Sequence, residues 1–359
     1  MARPLYATRE EVKTALDFKQ GAAANQLIDQ KLADSCDQVD KLLHRRFYPM
    51  LDTRSWDWPT PQTPRPWRLW LDDNEMCSAP TSMSSGGVAI DVSTVIPYPN
   101  WALARQEPIT HLELNVNTTS AFSAAQTWQN AITATSWFGY SDVQIPAGAI
   151  PSGGITSSAT QVNLGVPGYR GVGSILLVDG ERMLVTERRS VDTGTTLQAN
   201  MAANNAANLL QVADPTQYAL YEWLTIDGER MFVYDTLGAN LLVKRAMDGT
   251  PLAAHSAGAS IYAQRLLTVT RGALGTIPAA HSAAAPITEH DAPGMIRQLV
   301  VADTIVNLIQ TRAGYPAVRG RSSAGGGQTP QLATAPSDLS QAWQDAIDAF
   351  GRNGRSRSS

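Results

Sequence analysis

The chain has 359 residues, 43% of them hydrophobic and 17% charged, with a formal net charge of −4. The length exceeds one average domain, and this much apolar material excludes global disorder. The near-neutral balance excludes a generally cationic nucleic-acid binder, and two cysteines, Cys36 and Cys77, exclude a disulfide framework or a Cys-based zinc site.

No uncharged apolar run approaches the roughly 20 residues that span a bilayer, and the N-terminal run lacks a signal-peptide core, so the expectation is a soluble protein made in the cytoplasm. Thr8, with Glu11 three residues on, is a capping-box signature and predicts a helix from Arg9 that ends before Gly21. A second helix is predicted from Asn25 to Arg46, because Ile28, Leu32, Cys36, Val39, Leu43 and Phe47 step by three or four along one face. Its other face carries Asp29, Asp34, Asp37 and Asp40. Cys36 lies on the apolar stripe and reads as a buried thiol. From Tyr48 to Pro66 the density of Pro and Trp predicts an extended, partly polyproline-like arm, followed by a short strand over Trp67–Leu71.

Residues 78 to 287 break into short β-like pieces punctuated by Gly, Pro, Asn and Ser. The clearest hairpin joins Ile175–Val178 to Glu181–Val185 through Asp179-Gly180, the pair preferred in tight two-residue turns. The same phrase returns as Leu224–Ile226, Asp227-Gly228 and Glu229–Val233. A second phrase also occurs twice, from Arg245 to His255 and from Arg271 to His281. The order is hairpin, hairpin, then the histidine phrase twice, which reads as a duplicated small β-module, interleaved strands being one arrangement of it. The irregular spacing excludes a propeller or a solenoid. Asn200–Asn208 reads as a loop or one helical turn. After Pro293 a helix is predicted to about Arg312, then a Gly/Ser/Pro-rich linker from Arg319 to Pro336. A last helix follows, capped by Asp338, with the stripe Leu339, Trp343, Ile347 and Phe350 ahead of Gly351.

Catalytic motifs are absent. The glycines of Gly168–Gly173 are in the wrong order for a dinucleotide fingerprint, and neither a P-loop lysine nor a nucleophile elbow occurs. The five histidines show no helical metal-ligand spacing. His255 and His281 recur, with Glu181 and Glu229 as the carboxylates that could serve them. Duplication copies structural residues too, however, and Asp179 and Asp227 read as turn formers. The expectation is no metal, no cofactor and no enzyme activity.

Two stretches resemble the head–tail connector (adaptor) proteins of long-tailed, siphovirus-type bacteriophages of actinobacteria. One is Tyr6–Val12 with the helix ending Val39–Pro49; the other is Arg68–Asp73 together with Pro108–Glu113. The Arg271…His281 phrase is similar to one that recurs in structural proteins of such phages. The resemblance implies a structural virion protein in the neck: a ring, a dodecamer, below the portal protein. Such a ring joins the portal to a downstream neck, stopper or tail-completion protein and passes DNA without sequence-specific binding or membrane contact. It also implies a helical bundle, with Leu339, Trp343, Ile347 and Phe350 docking on the portal and Asp29, Asp34, Asp37 and Asp40 as candidate channel lining. A β-rich tail or receptor-binding protein is the main alternative, and a hydrolase using His255 or His281 with Glu181 or Glu229 is the lesser one.

The expected fold class is therefore α+β, a small helical bundle with a large β-rich insertion and a C-terminal docking helix. The segments run 1–77 (helical, with the Trp/Pro arm), 78–150 (β-rich), 151–290 (duplicated hairpins), 291–318 (helix completing the bundle), 319–337 (linker) and 338–359 (docking helix and basic tip).

Overall fold

The computed structural model describes residues 3–16, 25–59, 65–124, 126–164, 171–313 and 331–352. The fold is α+β, and its elements gather around four main cores.

The helical core is built from both ends of the chain. Helix α1 (Arg9–Ala15) starts at the expected capping box, with Thr8 and Glu11 bonded reciprocally. Helix α2 (Asn25–Leu43) buries Ile28, Leu32, Cys36, Val39 and Leu43. It stops short of the expected Arg46 because His44 turns to a left-handed φ of 52°. Residues Ala102–Arg105 form a short helix, α3, elsewhere in the fold. Helix α4 (Gly294–Ala313) packs on α2 through Ile296, Leu299, Val300 and Leu308. A buried polar bridge crosses that interface, with Ser35 Oγ donating to Asp303 at 2.6 Å. Helix α5 (Gln331–Phe350) lies against α4 and α2. It begins seven residues before the expected cap, so Asp338 is internal and Pro336 costs the helix one backbone bond. Residues 319–330 of the expected linker lie outside the described residues, as do residues 314–318 before it and residues 353–359 of the basic tip.

The Trp/Pro arm is corrected by the structure. Met50–Trp56 is a full strand, β1, because Pro49 and Pro59 flank a proline-free run whose N–H groups can all join a ladder. It pairs antiparallel with β7 (Ile132–Phe138) along its whole length, and Trp56 and Trp58 are buried. With β3 (Ser82–Ser85) and β4 (Val88–Ile90) these strands form a sheet ordered β1-β7-β3-β4. A second sheet, β2-β6-β5, consists of Arg68–Trp70, His111–Leu114 and Val95–Tyr98. Both face one core containing Leu69, Leu71, Met76, Leu112, Ile132 and Phe138. The first β unit therefore begins near residue 50 rather than at 78.

The rest of the β region is one ten-stranded sheet. Its strands in chain order are β8 (Gln144–Ala149), β9 (Gln161–Asn163), β10 (Ile175–Val178), β11 (Glu181–Thr196), β12 (Leu209–Gln211), β13 (Trp223–Ile226), β14 (Glu229–Leu237), β15 (Asn240–Met247), β16 (Ser260–Thr270) and β17 (Pro286–His290). The order is β12-β15-β14-β13-β16-β11-β10-β17-β8, with β9 on β16. This sequence of neighbours is the same six-strand path traversed twice. The outer copy uses β9, the second half of β16, the first half of β11, then β10, β17 and β8. The inner copy uses β12, β15, β14, β13, the first half of β16 and the second half of β11.

The registers agree residue by residue. Leu176 faces Glu289 and Leu177 faces Thr288 in the outer copy; Leu224 faces Ala263 and Thr225 faces Tyr262 in the inner. Even a β-bulge repeats, between Val185 and Glu187 and between Val233 and Asp235. The cores correspond as well: Leu176, Val178, Met183, Val185, Leu267 and Val269 match Leu224, Ile226, Met231, Val233, Leu241 and Val243. The inner copy thus sits inside the hairpin that would otherwise join β11 to β16, at the point where its own β14–β15 hairpin turns through Gly238-Ala239. The two long strands β11 and β16 run through both copies.

The outer copy also seats the N-terminal segment. Arg9 N–H donates to Val172 O at 3.3 Å, and Glu10 Oε2 accepts from Val172 N–H at 2.8 Å. A Cβ on Gly171 would collide with Thr8, and one on Gly173, at φ 105°, with Leu5. Those glycines, which do not form a nucleotide loop, permit close approach of the chain's own N-terminus. Among the described residues, no helix is long and apolar enough to cross a membrane.

Candidate functional site

The duplicated module carries two copies of one buried polar cluster. Each begins at a hairpin turn in which both central residues have positive φ: 48° and 93° at Asp179-Gly180, 47° and 87° at Asp227-Gly228. This is the type I′ geometry that matches strand twist and favours Asp-Gly. The residue after the glycine, Glu181 or Glu229, points inward and is almost fully buried.

Glu229 accepts from Arg245 at both oxygens, 2.7 Å each, from the backbone N–H of Ala246 and Ala253, and from His255 Nε2 at 2.8 Å. Glu181 does the same with Arg271, the N–H of Gly272 and Ala279, and His281 Nε2 at 2.9 Å. The opposite ring nitrogens, Nδ1, meet Asp227 at 2.9 Å and Asp179 at 3.0 Å. The remaining guanidinium donors close loops: Arg245 Nη1 donates to Ala202 O and Ala207 O, and Arg271 Nη1 donates to Thr156 O and Ala159 O. The Asn200–Asn208 stretch is therefore a loop held by Arg245.

Burial raises the carboxyl of Glu181, but the Arg271 fork, the two backbone N–H groups and His281 outweigh it and hold the group down to about 2. Glu229 is likewise held down to about 2 by Arg245, the backbone donors and His255, against the same opposing burial. Both nitrogens of each ring thus lie within hydrogen-bond distance of a carboxylate oxygen. Neither ring has a nitrogen left to take or give a proton to a substrate, and the ring side chains are at most 1% exposed. Among the described residues, no group of three or more His, Cys, Asp or Glu side chains is arranged to hold a metal ion. What this arrangement does is fasten: one carboxylate ties a hairpin, a loop and the end of a long strand together. Arg245 and Arg271 escape sequence reasoning although they open the repeated histidine phrases. Their recurrence at the same distance from the histidine was the available signal.

A depressed carboxyl stabilises the folded state above its unfolded value and stops doing so as the pH falls toward its folded value. Each cluster's contribution is therefore complete above about pH 4.5 and lost between about 4.5 and 2, on the order of 3 kcal/mol per glutamate. Urea midpoints measured from pH 6 down to pH 2.5 should fall steeply in that window, and less steeply when both glutamates are replaced.

The other predicted residues are distributed differently. Of the stripe on α5, Leu339, Trp343 and Phe350 pack on the chain's own bundle, with Ala346 fully buried beside them. Phe350 meets Phe47 edge-on at 5.6 Å and Tyr140 at 5.5 Å. Ile347 is 37% exposed and stands apart. Arg352 pins the helix end through Asp73 at 2.8 Å and Glu75 at 2.9 Å. Replacing Trp343 and Phe350 together by Asp should lower stability by about 2–4 kcal/mol, because charges enter a half-buried apolar contact. Ile347→Asp should stay within about 0.5 kcal/mol of wild type, as read from thermal unfolding of the full chain.

The four aspartates of α2 do not form one open face. Asp29 is taken by Arg9 through two bonds, 2.7 and 2.5 Å, and Asp40 accepts from the Tyr6 hydroxyl. Burial pushes the Asp40 carboxyl up to about 6, against the pull of Tyr6 and Arg46. Only Asp34 and Asp37 are exposed, and these lie near Lys31 and Arg3 respectively. Cys36 is buried, as expected, and burial raises its thiol to about 12. Comparison of the chain with known protein families, curated proteins and solved structures yields no match.

Proposed function

We propose that this chain is a structural subunit of a phage neck, a head–tail connector whose copies form a ring between the portal and the next neck protein. The supporting observation is where the connector-like residues fall. Tyr6 and Val12, with Val39, Leu43 and Phe47 of the same stretch, lie in one helical core with α4 and α5, while Leu69, Leu71, Ile109 and Leu112 of the other stretch lie together in the first β core. Each connector-like stretch thus falls within one packed unit, the first in the helical core and the second in the β core next to it in the chain. The β modules are consistent with a mechanical role, since their buried charges are spent on fastening loops and strands. In this reading α5 is the portal-docking element, and because Trp343 and Phe350 already pack on the bundle, docking exchanges that contact for one with the portal.

The test is gold-conjugated antibody against this protein on purified particles of the phage that encodes it. Label at the neck is expected. Label at the tail tip or fibres would instead favour the receptor-binding reading, and absence of label from intact and disrupted particles would remove the virion reading altogether.

A further inference from the structure

At the junction of the helical bundle with the inner β copy lies a cavity of about 40 Å³. Arg188 on β11 and Trp223 on β13 line it, and both are buried, the Arg188 side chain to 3% exposure and Trp223 likewise to 3%. Arg188 spends Nη2 on Gln264 O at 2.7 Å, but among the described residues its Nε and Nη1 have no hydrogen-bond partner, and neither has Trp223 Nε1. All three atoms can only donate. The acids facing the cavity are engaged elsewhere: Asp248 with Lys13 and Arg230, Glu187 with Arg9, and Glu10 with the Val172 N–H. The ion pair between Arg188 and Glu10 is a long one, 3.7 Å. Asn25, the first residue of α2, also lines the cavity, and α2 has no acidic side chain in its first turn. The first-turn N–H groups of a 19-residue helix carry partial positive charge and have no intrahelical acceptor.

We propose that this cavity binds one small monovalent inorganic anion of chloride size. The anion accepts from Arg188 Nε and Nη1 and from Trp223 Nε1, next to the α2 N-terminus. The volume accommodates a single such ion or a water, and a buried guanidinium with unused donors favours the ion. The site joins α2 of the bundle to β11 and β13, so occupancy locks the inner copy to the helices.

The test is thermal unfolding of the full chain in sodium chloride against sodium gluconate at equal ionic strength, with Trp223→Phe as the variant that removes one donor and conserves shape. A saturable rise in Tm with chloride is expected for wild type, with half-saturation shifted about tenfold higher in Trp223→Phe, the loss of one buried hydrogen bond. Bromide-soaked crystals should show an anomalous peak between Arg188 and Trp223. Equal melting in the two salts, an unshifted response in Trp223→Phe, or a bromide peak with no solution effect would each overturn the proposal in favour of a structural water.

Discussion

Glu229→Ala is expected to destabilise the inner β copy so far that it unfolds well ahead of the helical bundle. The substitution removes the acceptor for five donors in a site with almost no solvent access. Arg245 is left as a buried cation, and His255 keeps only its contact to Asp227. Deleting one partner of a buried ion pair costs roughly 3–5 kcal/mol, which is comparable to the whole stability of a small β unit. Urea unfolding followed by Trp fluorescence should show a new low-denaturant transition, since Trp223 lies in the inner copy. An unchanged midpoint would mean that the cluster is ornamental. A second variant separates fastening from charge as such. Replacing Glu229, Arg245 and His255 together by apolar residues of similar volume strands no charge, and should restore most of the loss.

The elements that were legible in the sequence are those governed by neighbours along the chain. Thr8 and Glu11 announce the start of α1 because a capping box is complete within four residues. Asp179-Gly180 and Asp227-Gly228 announce the hairpins because a type I′ turn constrains only its own two residues. Non-local pairing was less accessible. Met50–Trp56 was hidden by the prolines around it, and its partner Ile132–Phe138 lies far along the chain. The Arg271–Glu181 fork spans 90 residues. Only the recurrence of the arginine ahead of each repeated histidine hints at it.

The nesting itself was written in the order of the repeats. Tandem duplication would give hairpin, histidine phrase, hairpin, histidine phrase. Here both hairpins precede both histidines, and contacts run from the first hairpin to the last histidine and from the second hairpin to the first. That is the order left when one copy is inserted into a loop of the other. The irregular spacing that argued against a solenoid is a consequence of the same insertion.

The nesting makes the two copies unequal in folding. The inner copy is one continuous stretch, Val191–Gln264, whose strands close through their own short turns. The outer copy must bring β11 to β16 across that entire stretch. If the inner copy is unfolded, the outer copy closes a loop of some 75 residues in place of a two-residue turn, an entropic cost of about 3 kcal/mol. Folding of the inner copy removes most of that cost by holding the ends together. Two outcomes are expected. Val191–Gln264 expressed alone should fold cooperatively, with protected amides in β13, β14 and β15 by hydrogen exchange. The full chain with Val191–Gln264 deleted and the Ser190-Arg265 junction replaced by Gly-Ala, as in the inner hairpin, should retain the bundle, the β1–β7 unit and the outer copy. Glu181→Ala in the intact chain should raise exchange in β10 and the first half of β11 and leave the inner strands protected, whereas Glu229→Ala should loosen both copies. If the excised chain collapses while Val191–Gln264 folds alone, the outer copy draws more than loop closure from its guest, and Arg188 and Lys13, which reach Gln264 and Asp248, are the contacts to restore first.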